Sequence, residues 1–333
     1  MFPYLENSDR PILDIQNLKK YFPVTSGVFL RHTGNVHAVD DVSFSVFNGE
    51  TLGIVGESGC GKTTLGRCIM GLYPLTQGRI LLDGKPLSAM TRKKRKAFST
   101  RAQMIFQDPF ESLNPRQTVR QILEEKFRIH GVSQQETVTQ IKLLLDQVGL
   151  DSGDLTKYPH EFSGGQRQRI GIARAISMTP QIVICDEPVS ALDVSVQSKI
   201  LNLLLDLQSE MGLTYLFISH DLSVVRHMSD RIIVMYLGRI MEIADAQNIY
   251  KHPGHPYTKA LLEAVPVADP DHISNRIPLK GEIPSAQHPP PGCRFSSRCP
   301  VAQSLCFEKV PTLSACDHDD PGHLTACHFP LSG

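Results

Sequence analysis

"GESGCGKT", residues 56–63, follows the apolar run "TLGIV" (51–55) and decides how the rest of the chain is read. Gly56, Gly59 and Gly61 let backbone N–H groups turn inward where a strand gives way to a helix. Such a concavity, joined to the positive end of the following helix, is built for phosphate oxygens. The spacing is that of the phosphate-binding P-loop, G-x-x-x-x-G-K-[ST], with Glu57, Ser58 and Cys60 among its variable positions and Thr64 directly after it. Lys62 can reach the β- and γ-phosphates of a nucleotide, and Thr63 offers a hydroxyl to Mg²⁺.

Around this loop the texture is that of an α/β chain. "ILDIQNLKKYF" and "HAVDDVSFSVFNGETLGIVG" alternate apolar and polar residues in short β-rich runs. "VRQILEEKFRIHG" and "VTQIKLLLDQVGL" carry apolar residues at helical spacing, "VQSKILNLLLDLQSEMG" is a helix stopped by glycine, and "RIIVMYLGRIMEIA" is a hairpin. Strands alternating with helices predict a mostly parallel sheet covered on both faces. Between Pro253 and Pro291 stand nine prolines, a density that excludes long helices and central strands. The texture therefore changes near residue 251.

Totals set further bounds. The 333 residues carry no formal net charge, which removes the global field of a nucleic-acid binder. The run "RKKRK" (92–96) reads as a solvated helix face. No apolar stretch approaches the roughly 20 residues that cross a bilayer. The opening "MFPYLENSDRPIL" lacks the charged-then-apolar order of a signal peptide, so a cytoplasmic location is expected.

Two further motifs complete the phosphate loop. "IVICDEP" (182–188) is a buried strand whose end presents Asp186, suited to Mg²⁺, and Glu187, placed to polarise an attacking water. "FSGGQRQRIGIARAI" (162–176) puts Ser163, Gly164, Gly165 and Gln166 at the start of a helix, a second anion-binding end. One nucleotide does not need two such sites from one subunit.

With the SGGQ segment the chain resembles the ATP-binding subunits of ABC transporters, and the remaining family elements follow in order. Gln107 in "IFQDPFESLNP" resembles the Q-loop, which also contacts Mg²⁺. Asp193 in "SALDV" resembles the D-loop, and His220 in "FISHD" the switch histidine. Phe22 is the candidate for the aromatic that stacks on adenine, with Tyr21 as the alternative. The resemblance implies a RecA-like core with an antiparallel β subdomain and a helical subdomain at about residues 110–175. Together these make a nucleotide-binding domain over 1–250. It also implies two subunits packed head to tail, with ATP between Lys62 of one and Ser163 and Gly165 of the other.

The remainder, 251–333, narrows the resemblance. "HPGHPYTKALLEAVP" and "GEIPSAQHPPPGCRFSSRCP" look like the irregular, Cys-rich C-terminal extension of oligopeptide and dipeptide importer ATPases. "ESGCGKTTLGRCIMGL" and "SLNPR" look most like the second ATPase of dipeptide permeases. The implied partners are a sister ATPase, two transmembrane permeases and an extracytoplasmic peptide-binding protein, with the chain peripheral on the cytoplasmic face. Nickel, glutathione and antimicrobial-peptide importers share much of this pattern. Soluble ABC ATPases of DNA repair or translation fit less well, because here there is one P-loop and no long heptad run.

Five cysteines, Cys293, Cys299, Cys306, Cys316 and Cys327, crowd the last 41 residues. In a reducing compartment such crowding suggests metal ligation before disulfides. The set 293, 299, 306 and 327 lacks the C-x-x-C pairs of zinc ribbons, which tilts the reading from zinc toward iron. The resemblance implies a [4Fe–4S] cluster there. Cys316 remains the alternative fourth ligand, and His318, His323 and His328 leave a mixed zinc site open.

Overall fold

The computed structural model describes residues 10–26, 31–87, 91–264, 281–316 and 320–331. Residues 1–9, on which the signal-peptide reading rests, lie outside the described residues, as do His318 and the side chains of Arg92 and Lys93.

In chain order the strands are β1 (Leu13–Ser26), β2 (Arg31–Val46), β3 (Thr51–Val55), β4 (Gln77–Leu82), β5 (Lys85–Pro86), β6 (Ala102–Ile105), β7 (Ile182–Asp186), β8 (Thr214–Ser219), β9 (Arg231–Tyr236), β10 (Arg239–Asp245), β11 (Ser314–Ala315) and β12 (Leu324–Thr325). The helices are α1 (Lys62–Ile69), α2 (Arg92–Arg101), α3 (Pro109–Ser112), α4 (Val119–His130), α5 (Gln134–Val148), α6 (Gly164–Ile176), α7 (Val194–Met211), α8 (Leu222–Met228), α9 (Ala246–Lys251), α10 (Pro256–Ala264) and α11 (Ser304–Glu308). They fall into two compact units, one built mainly from Ala89–Ile218 with Phe47–Glu50, the other from Pro11–Val46, Thr51–Ser88 and Ser219–Gly333.

In the first unit β6, β7 and β8 run parallel, with Ile105 opposite Cys185 and Asp186 opposite Ile218. Every residue of β7 and β8 is buried, as expected of parallel strands covered on both faces. The helices begin and end where side chains dictate. Thr118 and Gln121 form a capping box on α4, whose left-handed terminal Gly131 closes it. Ser133 caps α5, and Gly149 ends it at φ 67°. Asp193 caps α7, and Gly212 ends it at φ 64°. On α4 the buried set Val119, Ile122, Leu123 and Phe127 repeats at helical spacing.

The second unit holds an antiparallel sheet in the order β2-β1-β4-β5 and a run β11-β12-β10-β9-β3. Strand β3 pairs parallel with β9, from Leu52 opposite Arg231 to Val55 opposite Val234. The β9–β10 hairpin turns through Leu237 and Gly238, both left-handed at φ 44° and 79°, the turn whose twist suits a hairpin. Prolines keep residues 281–303 irregular, and Pro256 opens α10, where its missing N–H is harmless. Strand β12 then adds to β10, with Glu242 opposite Thr325. No helix among the described residues is long and apolar enough to cross a membrane.

Candidate functional site

In the second unit β3 delivers the chain into the glycine-rich loop and α1 leaves it. Gly56 and Gly61 sit at φ 156° and 109°, and a Cβ on either would lie 2.1 Å from a backbone oxygen, that of Met235 or Ala38. Only glycine fits such an approach. Gly59, at φ 77°, and Ser58 are exposed at the crest, while Cys60 is buried, and burial raises its thiol pKa. Lys62 opens α1 and is buried, its ammonium donating to the carbonyls of Gly56 (2.7 Å) and Glu57 (3.1 Å). The loop's own carbonyl oxygens hold the cation. No side chain caps α1 and its first turn carries no acid, which keeps that helix end positive. Thr63 and Thr64 are half-buried in the same turn.

Tyr21 and Phe22 occupy neighbouring positions of β1 and diverge. Phe22 meets Tyr73 edge-on at 5.4 Å under the Lys20 ammonium. Tyr21 stacks on His37 at 4.1 Å and donates to Asp40 at 2.5 Å. His37 precedes Ala38, whose carbonyl faces Gly61, while Tyr73, the partner of Phe22, accepts a hydrogen bond from Arg67 of α1 at 3.0 Å. His220 is exposed just past β8, followed by Asp221, which caps α8.

In the first unit Asp186 ends β7 almost fully buried, and Glu187 follows at φ 47°. That left-handed backbone costs a non-glycine residue about 1–2 kcal/mol. It is held by the Glu187 N–H donating to Ile218 O and by Ser190 donating twice to the Glu187 carbonyl. Gln107, two residues beyond neighbouring β6, donates through Nε2 to Glu187 Oε2 at 3.1 Å. Two predicted site residues eighty positions apart thus meet at one end of the parallel sheet.

Ser163 caps α6 in a reciprocal box with Gln166: its hydroxyl accepts the Gln166 N–H and its own N–H donates to the Gln166 amide. Ser163, Gly164 and Gln166 are exposed. The glycines permit close packing, since a Cβ on Gly165 would lie 2.5 Å from Val196 Cγ1 and one on Gly164 3.2 Å from Leu192 Cδ2. Asp193 lies between those contacts, its carboxyl pKa lowered first by the Ser195 hydroxyl and then by the Val196 N–H.

The cysteines also divide. Burial raises Cys293 to about 11, with Cys327, Cys306 and Cys299 adding repulsion. Cys327 is raised by burial and then by Cys299 and Cys306. Cys316 instead points its thiol to the His323 carbonyl at 3.5 Å. Among the described residues no set of three or more His, Cys, Asp or Glu side chains is spaced to hold a metal ion. His323 donates to or accepts from Glu242 at 2.6 Å, and His328 approaches the Lys309 carbonyl.

Sequence reasoning missed an ion-pair system in the second unit. Arg298 grips Glu57 of the phosphate loop with both Nη atoms, and Arg294 and Arg239 share Asp40. Partners 241 and 254 residues apart leave no periodic signal in a sequence.

Comparison with known proteins follows the same outline. The model of the ABC transporter family matches residues 39–190, and that of the oligopeptide/dipeptide transporter C-terminal region matches 241–306. The oligopeptide transport ATP-binding protein AppF of Bacillus subtilis is 53% identical over 96% of this chain and 97% of its own. The chain belongs to the ATP-binding proteins of the ABC transporter family. A Brucella ovis chain whose name assigns it to peptide import is 47% identical to this ABC ATPase, over 96% of this chain and 98% of its own. Among solved structures, cbiO1 of Clostridium perfringens, part of the transporter complex cbiONQ, aligns with TM-score 0.62 and 27% identity. It covers 73% of this chain and 92% of its own. The ATP-binding cassette MJ0796, a dimer in a post-hydrolysis state with ADP and Pi, gives the same TM-score and identity over 70% of this chain and 98% of its own.

Proposed function

We propose that this ABC ATPase is the motor subunit of an importer for di- and oligopeptides, in which ATP-driven closure of two ATP-binding chains works on partner permeases. The observation that carries this reading is end-to-end likeness to AppF, including the C-terminal region matched at 241–306.

Lys62 would leave the Gly56 and Glu57 carbonyls for the β- and γ-phosphates, and the uncapped start of α1 would add its positive end. Thr63, Gln107 and Asp186 would hold Mg²⁺, which when bound neutralises charge developing on the transferred phosphoryl group. Glu187 polarises the attacking water, with Gln107 orienting its carboxylate, and His220 senses the γ-phosphate. Phe22 or Tyr21 stacks on adenine, and Asp193 with the exposed Ser163 and Gly164 and the half-buried Gly165 meets the ATP of the opposing chain. On this reading residues 1–250 form the nucleotide-binding domain, with its helical subdomain near 110–175, and 251–333 the extension. The chain then sits on the cytoplasmic face, beside a sister ATPase, two permeases and an extracytoplasmic binding protein.

By donor chemistry alone the cysteine set would suit an iron–sulfur cluster, since Cys293 and Cys327 each lie near enough to Cys299 and Cys306 for their thiolates to repel, although among the described residues no group is arranged to hold a metal ion. Cys293, Cys299, Cys306 and Cys327 would hold the cluster as a structural cross-link in a region with little core of its own. Anaerobically purified protein is then brown with broad visible absorption; colourless protein with stoichiometric zinc contradicts the assignment.

The functional reading is tested by co-purifying the tagged chain from membranes and assaying uptake of labelled dipeptides. Co-purified permeases and uptake lost with the chain support it. A chain without permeases, or dipeptide uptake indifferent to it, rejects it.

A further inference from the structure

Glu57, the first variable residue of the phosphate loop, is held by residues from outside that loop. Its N–H donates to the Tyr257 hydroxyl at 3.0 Å. Its carboxylate receives Arg298 in a two-pronged pair, Nη1 to Oε2 at 2.7 Å and Nη2 to Oε1 at 3.0 Å. The Arg298 side chain is 6% exposed and that of Glu57 23%. Arg298 Nη1 also donates to the Tyr236 hydroxyl at 3.2 Å, at the end of the strand against which Gly56 packs.

These partners are themselves fixed. Tyr257 is fully buried on α10, its N–H donating to His255 Nδ1 at 3.0 Å. Its ring lies 4.7 Å from that of Tyr236 and 5.2 Å from that of Phe295. Arg298 stands immediately before Cys299, in the segment that carries the clustered thiols. A bidentate guanidinium with a mostly buried side chain differs from a solvated surface pair, because its planar fork fixes the carboxylate's direction.

Left to itself, Glu57 would put a negative charge in a loop whose other features attract a triphosphate. We infer that Arg298 is a positioning residue for nucleotide binding: from the C-terminal region it neutralises Glu57 and, with Tyr257, sets the entry of the phosphate loop. The region then serves the ATP site as well as closing the fold. This rests on the phosphate-loop reading of residues 56–63.

The test is equilibrium binding of Mg²⁺ and a non-hydrolysable ATP analogue to the full-length chain. Arg298→Met is expected to weaken binding on the order of tenfold, because the carboxylate charge is uncovered. Adding Glu57→Gln to Arg298→Met removes that charge and is expected to restore most of the affinity; Arg298→Lys, which keeps the cation but not the fork, lies between. A merely structural role predicts the opposite for the double variant, which would bind no better than Arg298→Met. Either that result or unchanged affinity in Arg298→Met overturns the inference. If Arg298→Met does not fold, judged by circular dichroism, Arg298→Gln replaces it in the same comparison. Lys62→Ala separates the two readings: wild-type binding there refutes the phosphate loop itself. Lost binding there beside normal Arg298→Met refutes only the role of Arg298.

Discussion

Glu187 and Gln107 share a hydrogen bond at the ends of β7 and β6, and Glu187 keeps a strained left-handed backbone to present its carboxylate there. Glu187→Gln keeps the shape and removes the carboxylate proposed as the base. Steady-state ATP hydrolysis is expected to fall by about 10²–10⁴-fold with ATP binding retained, and unchanged turnover would reassign the base. A second residue carries a stability signature. Burial, with Arg174 alongside, lowers Lys126 to about 7, its ammonium donating to Gln103 and to the Arg174 carbonyl. The folded chain then sheds this proton near pH 7, whereas the unfolded chain keeps it to about 10.4. Between those values the unfolded state binds more protons, so this group makes stability rise with pH, by at most about 1.4 kcal/mol per pH unit. Denaturation of wild type against Lys126→Met from pH 6 to 10 checks it: the wild type gains relative to the variant as pH rises.

At the level of elements, the start of α6 and the start of α7 touch where side chains are absent. Gly165 needs no unusual φ; it needs space, because a methyl group there would lie 2.5 Å from Val196 Cγ1. Gly165→Ala is expected to destabilise the chain by about 1–3 kcal/mol through overpacking. Adding Val196→Ala should recover part of that loss in chemical denaturation; no recovery would show that the contact is not the cause. The same contact explains why glycines stand beside Ser163: they bring the exposed cap of α6 against the segment carrying Asp193.

Across the whole molecule, local rules made much legible. Gly212 at the end of α7, the Leu237–Gly238 hairpin and the buried β7 follow from turn chemistry and apolar runs. The phosphate loop was legible because its glycines answer to backbone crowding that any such loop shares. What escaped was long-range and unpatterned: Arg298 on Glu57, Arg294 on Asp40, and β12 returning to β10. Among eight cysteines, spacing alone could not separate Cys316 from Cys327, and it carried no sign that Cys316 points its thiol toward the His323 carbonyl. Nor did the sequence show that the adjacent aromatics of β1 part company, Tyr21 stacking on His37 and Phe22 meeting Tyr73.

The central claim is that ATP is clamped between the Lys62 loop of one chain and the Ser163 helix cap of another. Light scattering of the full-length Glu187→Gln chain with the proposed sister ATPase, with and without ATP, tests it most directly when repeated with Ser163→Arg added. The account predicts ATP-dependent association in the first case and its loss in the second, while the chain's own Lys62 loop still binds nucleotide. ATP-dependent association undiminished by Ser163→Arg would contradict it.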